Sequence, residues 1–350
     1  MSSSFKSRYP WTSHPPIANA AMGGGFAGVP LATAVSQAGG VGFIGTAGDM
    51  KKLGQQLHSA ASILQIANIK AAVPGTLPIG VGFLLFLGGL DEAVAVISQH
   101  RPAVIWLSMP RVKEDFEIWS RAMKKASPHS RVWIQVASVD DAVHLAATCA
   151  PDVLIMQSSD AGGHGPFPGA GIISLVPETR DALDNAGFPE IAVFAAGGIS
   201  DGRGVAAALV CGAEGVVLGT RFLASKEVEL PAKEYGDVIL AAKDGGVATV
   251  RATVFDLLNG ESRWPAGYDG RAIAGASYQD LRAGVSITEI RKRHADMLNE
   301  SHKGFGGDKR AAVWAGSGVG LVKEVKSAAE ILHELREGAK KSLRDAQSRL

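Results

Sequence analysis

Over its first 225 residues the chain alternates between short, continuous apolar runs rich in Val, Ile, Ala and Gly and longer stretches with helical periodicity. The apolar runs predict strands at 17–21, 41–44, 79–83, 103–107, 131–136, 153–156, 191–195 and 215–218. Amphipathic stretches between them predict helices, among them 31–38, 91–99, 116–125, 139–149 and 202–210. Strands that are apolar on both faces and separated by helices form a parallel sheet covered by those helices. Eight such units in succession predict an α/β fold of the (β/α)8 TIM-barrel type. Near Lys226 the texture changes, and charged helix-like segments alternate with loops carrying Gly and Trp, such as Trp264-Pro265. The expected organisation is a barrel over 1–225, a helical cap over 226–319 on the substrate side, and a final helix near 321–343, within 320–350, packing back on the barrel.

Composition narrows the class. The 350 residues include 35 Lys and Arg against 34 Asp and Glu, a net charge of +1, and 46% are hydrophobic. That supplies a large core and no basic stripe of the kind a nucleic-acid groove needs. Residues 71–90 lack charge, but Pro74, Pro78 and the five glycines of this stretch break it. Its apolar centre has strand length, so no membrane-spanning helix is predicted. Residues 1–16 hold no apolar stretch of signal-peptide length. Cys149 and Cys211 form no CxxC pair and are expected to be small buried hydrophobes in a reducing compartment. The expected location is cytoplasmic, or peroxisomal in a eukaryote, because Ser348-Arg349-Leu350 varies the Ser-Lys-Leu address.

Glycine is the anomaly: 43 of 350, or about 12%, against a usual ~7%. Two glycine turns follow the last two predicted strands, Ala196-Gly197-Gly198-Ile199 and Gly219-Thr220-Arg221. Barrels of this type bind phosphate there, because glycine lets backbone N–H groups approach the oxygens. An earlier run, Gly23-Gly24-Gly25-Phe26-Ala27-Gly28, satisfies GxGxxG and has Asp49 about twenty residues on, the outline of a dinucleotide fingerprint. Asp49 nevertheless lies five residues beyond the apolar run ending at Ile44, and the strand–helix units continue without a topological break. In a barrel the same glycines lie against a flat cofactor ring.

None of the nine histidines has metal-ligand spacing, and no metal site is predicted. Eight are expected to be mostly solvated helix or loop residues. His164 differs: it ends Gln157-Ser158-Ser159-Asp160-Ala161-Gly162-Gly163-His164, directly after the sixth predicted strand and so on the catalytic face of a barrel. The Gly162-Gly163 pair bends the chain toward the pocket, and an imidazole is suited to proton abstraction near neutral pH. No Ser or Cys sits in a nucleophile elbow.

These motifs carry a family resemblance. Ala21-Met22-Gly23-Gly24-Gly25, Ala38 through Gly45, Gln157 through Gly165, Ala195 through Ile199, Gly219 through Ala224 and Trp314-Ala315-Gly316 together resemble the nitronate monooxygenases, formerly 2-nitropropane dioxygenases, especially their fungal-type branch. The resemblance implies non-covalent FMN beneath the cap. It also implies oxidation of alkyl nitronates by dioxygen to a carbonyl compound and nitrite, through a flavin semiquinone. His164 would deprotonate neutral nitroalkanes. Met22 and Gly23 would lie along the isoalloxazine, Gln135 and Gln157 would offer polar contacts, and Gly162 and Gly163 would border the cofactor. Gly197, Gly198, Gly219 and Thr220 would hold its phosphate. One departure stands out: many bacterial relatives have Asn where this chain has Gly82. Asp160 has no assigned role beyond orienting its loop, and Trp264 and Tyr268 are candidate cap contacts, with exposed or core aromatics the favoured expectation. Two other readings share the outline, an FMN-dependent enoyl-thioester or NAD(P)H:quinone reductase and a non-redox phosphate-binding barrel.

Overall fold

The structure, a computed structural model, describes residues 2–349. In chain order the strands are β1 (Ile17–Asn19), β2 (Phe43–Gly45), β3 (Leu77–Leu84), β4 (Pro102–Ser108), β5 (Arg131–Val136), β6 (Val153–Gln157), β7 (Gly163–Pro166), β8 (Ala192–Ala196), β9 (Gly215–Leu218), β10 (Thr249–Ala252) and β11 (Tyr268–Ile273). Eight of them form a parallel sheet in the order β1-β9-β8-β6-β5-β4-β3-β2. A bridge between Ala18 and Val41 brings β1 back to β2 and closes the barrel. The predicted eight strands and the barrel are therefore observed, with ends shifted by a residue or two.

The closing seam is short of backbone ladder bonds, and the Asn19 side chain fills the gap. Its Oδ1 accepts from the Phe43 N–H at 2.9 Å, and its Nδ2 donates to the Phe43 carbonyl at 2.9 Å. A buried amide satisfied at both ends fixes register without an orphaned polar group. Closure also removes the switch point that a dinucleotide fold uses. Asp49, the acidic residue of that alternative, instead caps the helix Met50–Ile66 by accepting from the Lys52 N–H at 2.9 Å.

Phe43, Trp106, Trp133 and Phe194 fill the barrel interior. The helix Ser2–Arg8 plugs the end where the strands begin, bringing Phe5 and Tyr9 against them. The Trp133 indole N–H donates to the Tyr9 hydroxyl at 2.8 Å, and burial pushes the Tyr9 phenol upward from its ordinary value. Burying each ring contributes about 1.5–3 kcal/mol.

The final helix is Ala328–Gln347, starting later than the periodicity predicts. Ahead of it, residues 317–321 form a 3-10 turn. Ser327 and Glu330 form a capping box that sets the true start. This helix packs on the helices Gly202–Val210 and Val29–Gln37, and its Arg336 donates to the carbonyls of Ser13, Ala38 and Gly39.

Between barrel and final helix, the chain carries the helices Lys233–Ala241, Ala276–Arg282 and Ile287–Leu298, and also β10 and β11. In a separate sheet of order β10-β11-β7, β11 pairs antiparallel with both β10 and β7. Charged residues inside β10 and β11, Arg251, Asp269 and Arg271, hide the strand signal in the sequence. Two smaller expectations are corrected. Cys211 is only half-buried, unlike Cys149. His294, expected to be solvated, is buried with no partner for Nδ1, because its helix Ile287–Leu298 packs against the helices Ala276–Arg282 and Val254–Leu257. Among the described residues, no helix is long and apolar enough to cross a membrane. Leu350, which completes the C-terminal tripeptide, lies outside the described residues.

Candidate active site

A cavity of about 370 Å³ opens at the C-terminal ends of the barrel strands, under the small sheet. That size suits a small-molecule or cofactor site. Met22, Gly23, Gln135, Gln157, Gly162, Gly163, His164, Gly197, Gly198, Gly219 and Thr220 all line it, so every site residue expected from the sequence reaches one cavity. Gly24 lines it as well, whereas Gly25 does not.

One end is built from the turns after β8 and β9. Gly197 and Gly198 have φ of 103° and 73°, the left-handed region that favours glycine. A Cβ at Gly198 would stand 3.0 Å from the Asp160 Cβ, so the turn has no room for a side chain either. The amides of Gly197, Gly198 and Gly219 find no acceptor among the described residues. Backbone donors left without a protein acceptor beside a cavity are available to an anionic ligand. Thr220 stands beside them, its Oγ1 accepting from the Gly316 N–H at 2.9 Å.

The middle of the cavity is polar on one side. Gln135 Nε2 donates to Gln157 Oε1 at 2.8 Å, and Gln157 Nε2 donates to the His164 carbonyl at 2.9 Å. The two amides are thus tied to the backbone of the histidine. Behind them lies a second cavity of about 90 Å³, lined by Lys113, Asp141 and Tyr268 among others. Burial pushes the Tyr268 phenol upward.

At the other end His164 sits in β7, directly opposite Gly270 of β11. Gly163 before it has φ of 74°, the bend that two glycines permit. His164 Nε2 lies 2.5 Å from Asp256 Oδ1, and the two side chains are only 9% and 4% exposed. The imidazole stacks on Trp264 with ring centroids 3.6 Å apart and planes 10° from parallel, and Trp314 packs at 4.6 Å. Trp264 also contacts Phe86, a residue of the loop after β3, at 4.7 Å. Trp264 is therefore neither a surface nor a core aromatic: it covers the histidine and walls the cavity. Tyr268 is likewise a wall residue, of the smaller chamber.

Arginines anchor this assembly. Arg251 Nε donates to Asp269 Oδ1 at 2.6 Å, and its Nη2 donates to the carbonyls of Gly165 and Pro166 at 2.8 and 3.1 Å. Arg271 donates from Nη2 to the Ser159 carbonyl at 3.0 Å. Burial, with Arg251 nearby, pulls Arg271 below its ordinary value. Asp160 ties the loop after β6 to 315–317, since its Oδ1 accepts from Ser317 Oγ at 2.7 Å and its carbonyl from the Ser317 N–H at 3.0 Å. Gly82 lines the cavity, and the Ala21 methyl occupies the space where its Cβ would go. A side chain at position 82 would therefore meet that of Ala21.

Asp256 carries no signal in the sequence. In Val254-Phe255-Asp256-Leu257 it has the look of a solvated helix residue, and it lies 92 residues from its partner. Tyr235 also lines the cavity without a motif to mark it, its hydroxyl donating to the Trp314 carbonyl at 3.3 Å.

The sequence profile of the nitronate monooxygenase family matches residues 10–338. The chain is 42% identical to nitronate monooxygenase npaC of Metarhizium robertsii, across 95% of this chain and 92% of that protein. It is 38% identical to a nitronate monooxygenase of Neurospora crassa, across 97% and 93%. Among solved structures, FabK from Thermotoga maritima superposes with a TM-score of 0.72 at 25% identity, covering 96% of both chains. Nitroalkane oxidase from Streptomyces ansochromogenes shares the fold, with a TM-score of 0.73 at 21% identity over 98% and 99% of the two chains. With a family match over nearly its whole length and two fungal relatives above 35% identity, the chain belongs to the nitronate monooxygenase family of flavin-dependent oxidoreductases.

Proposed function

We propose that this protein is an FMN-dependent nitronate monooxygenase that oxidises alkyl nitronates with dioxygen to carbonyl compounds and nitrite, and that it takes neutral nitroalkanes through His164. The observation that carries this reading is a buried, carboxylate-paired histidine in the same cavity as a cradle of unpaired glycine amides. The cavity's residues fit FMN. Gly197, Gly198, Gly219 and Thr220 would take the phosphate, and Met22 and Gly23 would flank the ring. Gln135 and Gln157 would meet its polar edge, with Gly162 and Gly163 at its border. When bound, the flavin supplies the electron-transfer chemistry that links nitronate oxidation to dioxygen.

The protein's own residues handle the proton and the charge. With a neutral nitroalkane, the α-carbon C–H bond breaks and an N–H bond forms on the imidazole. The electron pair moves onto the nitro oxygens, giving the nitronate. The imidazolium left beside it steadies that anion in a site largely shut from water. Trp264, braced by Phe86, covers one face of the histidine, and Trp314 walls it on another side.

The test is direct. The purified protein is expected to be yellow, to release FMN on denaturation, and to consume oxygen while forming nitrite when given propyl nitronate. The fold likeness to FabK keeps a nicotinamide-dependent reductase as the second reading. NADH or NADPH consumption without oxygen, and no nitrite from nitronate, would establish that reading instead. A colourless protein that ignores added FMN would point to a non-redox barrel.

A further inference from the structure

The cavity's histidine sits in β7, shortly after barrel strand β6, but its partner comes from a distant part of the chain. Asp256 comes from the short helix Val254–Leu257, between β10 and β11. Among the described residues, its carboxylate has one side-chain partner, His164 Nε2 at 2.5 Å. The other ring nitrogen, Nδ1, has no protein partner among those residues. The imidazole cannot turn freely to exchange the two, because Trp264 lies against its face and Trp314 stands beside it. Gly270 completes the slot: a Cβ there would press on the Trp314 ring and come within 3.2 Å of His164 Nε2.

Resting on the reading of His164 as the base, we propose that Asp256 is its positioning residue. The carboxylate accepts the Nε2 hydrogen and so fixes the tautomer whose Nδ1 lone pair is free. Nδ1 then takes the substrate's α-proton, while Asp256 stays ionised and balances the imidazolium. A carboxylate in this place sets both orientation and tautomer, and losing it from such a pair has large kinetic cost even where the geometry survives. The base is consequently assembled from two parts of the chain: β7, following barrel strand β6, supplies the ring, and the segment after β10 supplies what aims it.

The experiment uses the flavin-loaded enzyme with 15N-labelled histidine. The wild-type spectrum is expected to show His164 carrying its hydrogen on Nε2, with Asp256→Asn shifting it toward Nδ1 or a mixture. In steady-state assays with nitroethane and preformed ethyl nitronate, Asp256→Asn is expected to lower the nitroethane-to-nitronate ratio of kcat/KM by about 10²–10⁴-fold. Asp256→Glu should recover part of it. An Nδ1–H tautomer in the wild type, or equal losses on both substrates with no recovery in Asp256→Glu, overturns the proposal. If Asp256→Asn fails to fold, the wild-type spectrum and Asp256→Glu still decide. His164→Asn separates the two layers: an unchanged substrate ratio removes the base reading, while the tautomer measurement still judges Asp256.

Discussion

The imidazole of His164 and the indole of Trp264 lie face to face, 3.6 Å between centroids and 10° from parallel. A stacked aromatic contributes about 0.5–1.5 kcal/mol beyond the area it buries. Trp264 also walls the cavity, its far edge resting on Phe86. Trp264→Ala is therefore expected to lower kcat/KM for nitroethane by roughly 2–12-fold, with Trp264→Phe much closer to wild type. Steady-state kinetics on both variants checks this. A silent Trp264→Ala would show that the stack has no part in catalysis.

His164→Asn keeps a polar group in the slot but removes the basic nitrogen. Turnover of neutral nitroalkanes should fall by about 10²–10⁴-fold, and oxidation of preformed nitronates by far less. Oxygen uptake with each substrate measures the two numbers side by side. Equal losses would mean that the imidazole serves a step common to both.

Gly198 combines a φ of 73° with a Cβ position 3.0 Å from Asp160. Gly198→Ala strains the backbone by about 1–3 kcal/mol and pushes the turn away from the cavity. FMN affinity, followed by fluorescence quenching in the apoprotein, should weaken by roughly 5–150-fold. Wild-type affinity in the variant would remove this turn from the phosphate cradle.

Gly82 and Ala21 share one space. Gly82→Asn should destabilise the protein by about 1–3 kcal/mol through overpacking, and Ala21→Gly in the same chain should return part of that loss. Chemical denaturation of the single and double variants gives the coupling. Additive effects would show that Ala21 is not what excludes a side chain at 82.

His294 gives a pH dependence of stability. Burial lowers its proton affinity, and Arg310 nearby adds to the effect. Its folded value thus lies below the ordinary ~6.5 that the unfolded chain retains. Below that value the unfolded state binds a proton that the folded state refuses, so this group costs nothing above about pH 6.5 and destabilises as pH falls. His294→Gln should flatten that decline between about pH 7 and pH 5, as read from denaturation midpoints. Parallel profiles would place the acid sensitivity elsewhere.

How much of this was legible in the sequence follows from the range of each signal. Apolar runs, helical faces and glycine turns are local patterns a few residues wide. For that reason the eight barrel strands, the turns at Gly197-Gly198 and Gly219-Thr220, and the position of His164 after a strand could all be read directly. The (β/α)8 order then brings such loops to one end, so the predicted site residues meet in one cavity. The strands β10 and β11 were invisible because their buried charges pair only in three dimensions, Arg251 with Asp269. The partnership of His164 with Asp256 spans 92 residues, and the Trp264 stack and the Ala21 methyl beside Gly82 also depend on packing. No periodicity encodes which distant side chain arrives at a slot, since that is set by how sheets and loops close on one another. The sequence by itself determined the barrel and which of its loops face the chemistry. The tertiary structure alone decided what aims, covers and crowds the histidine.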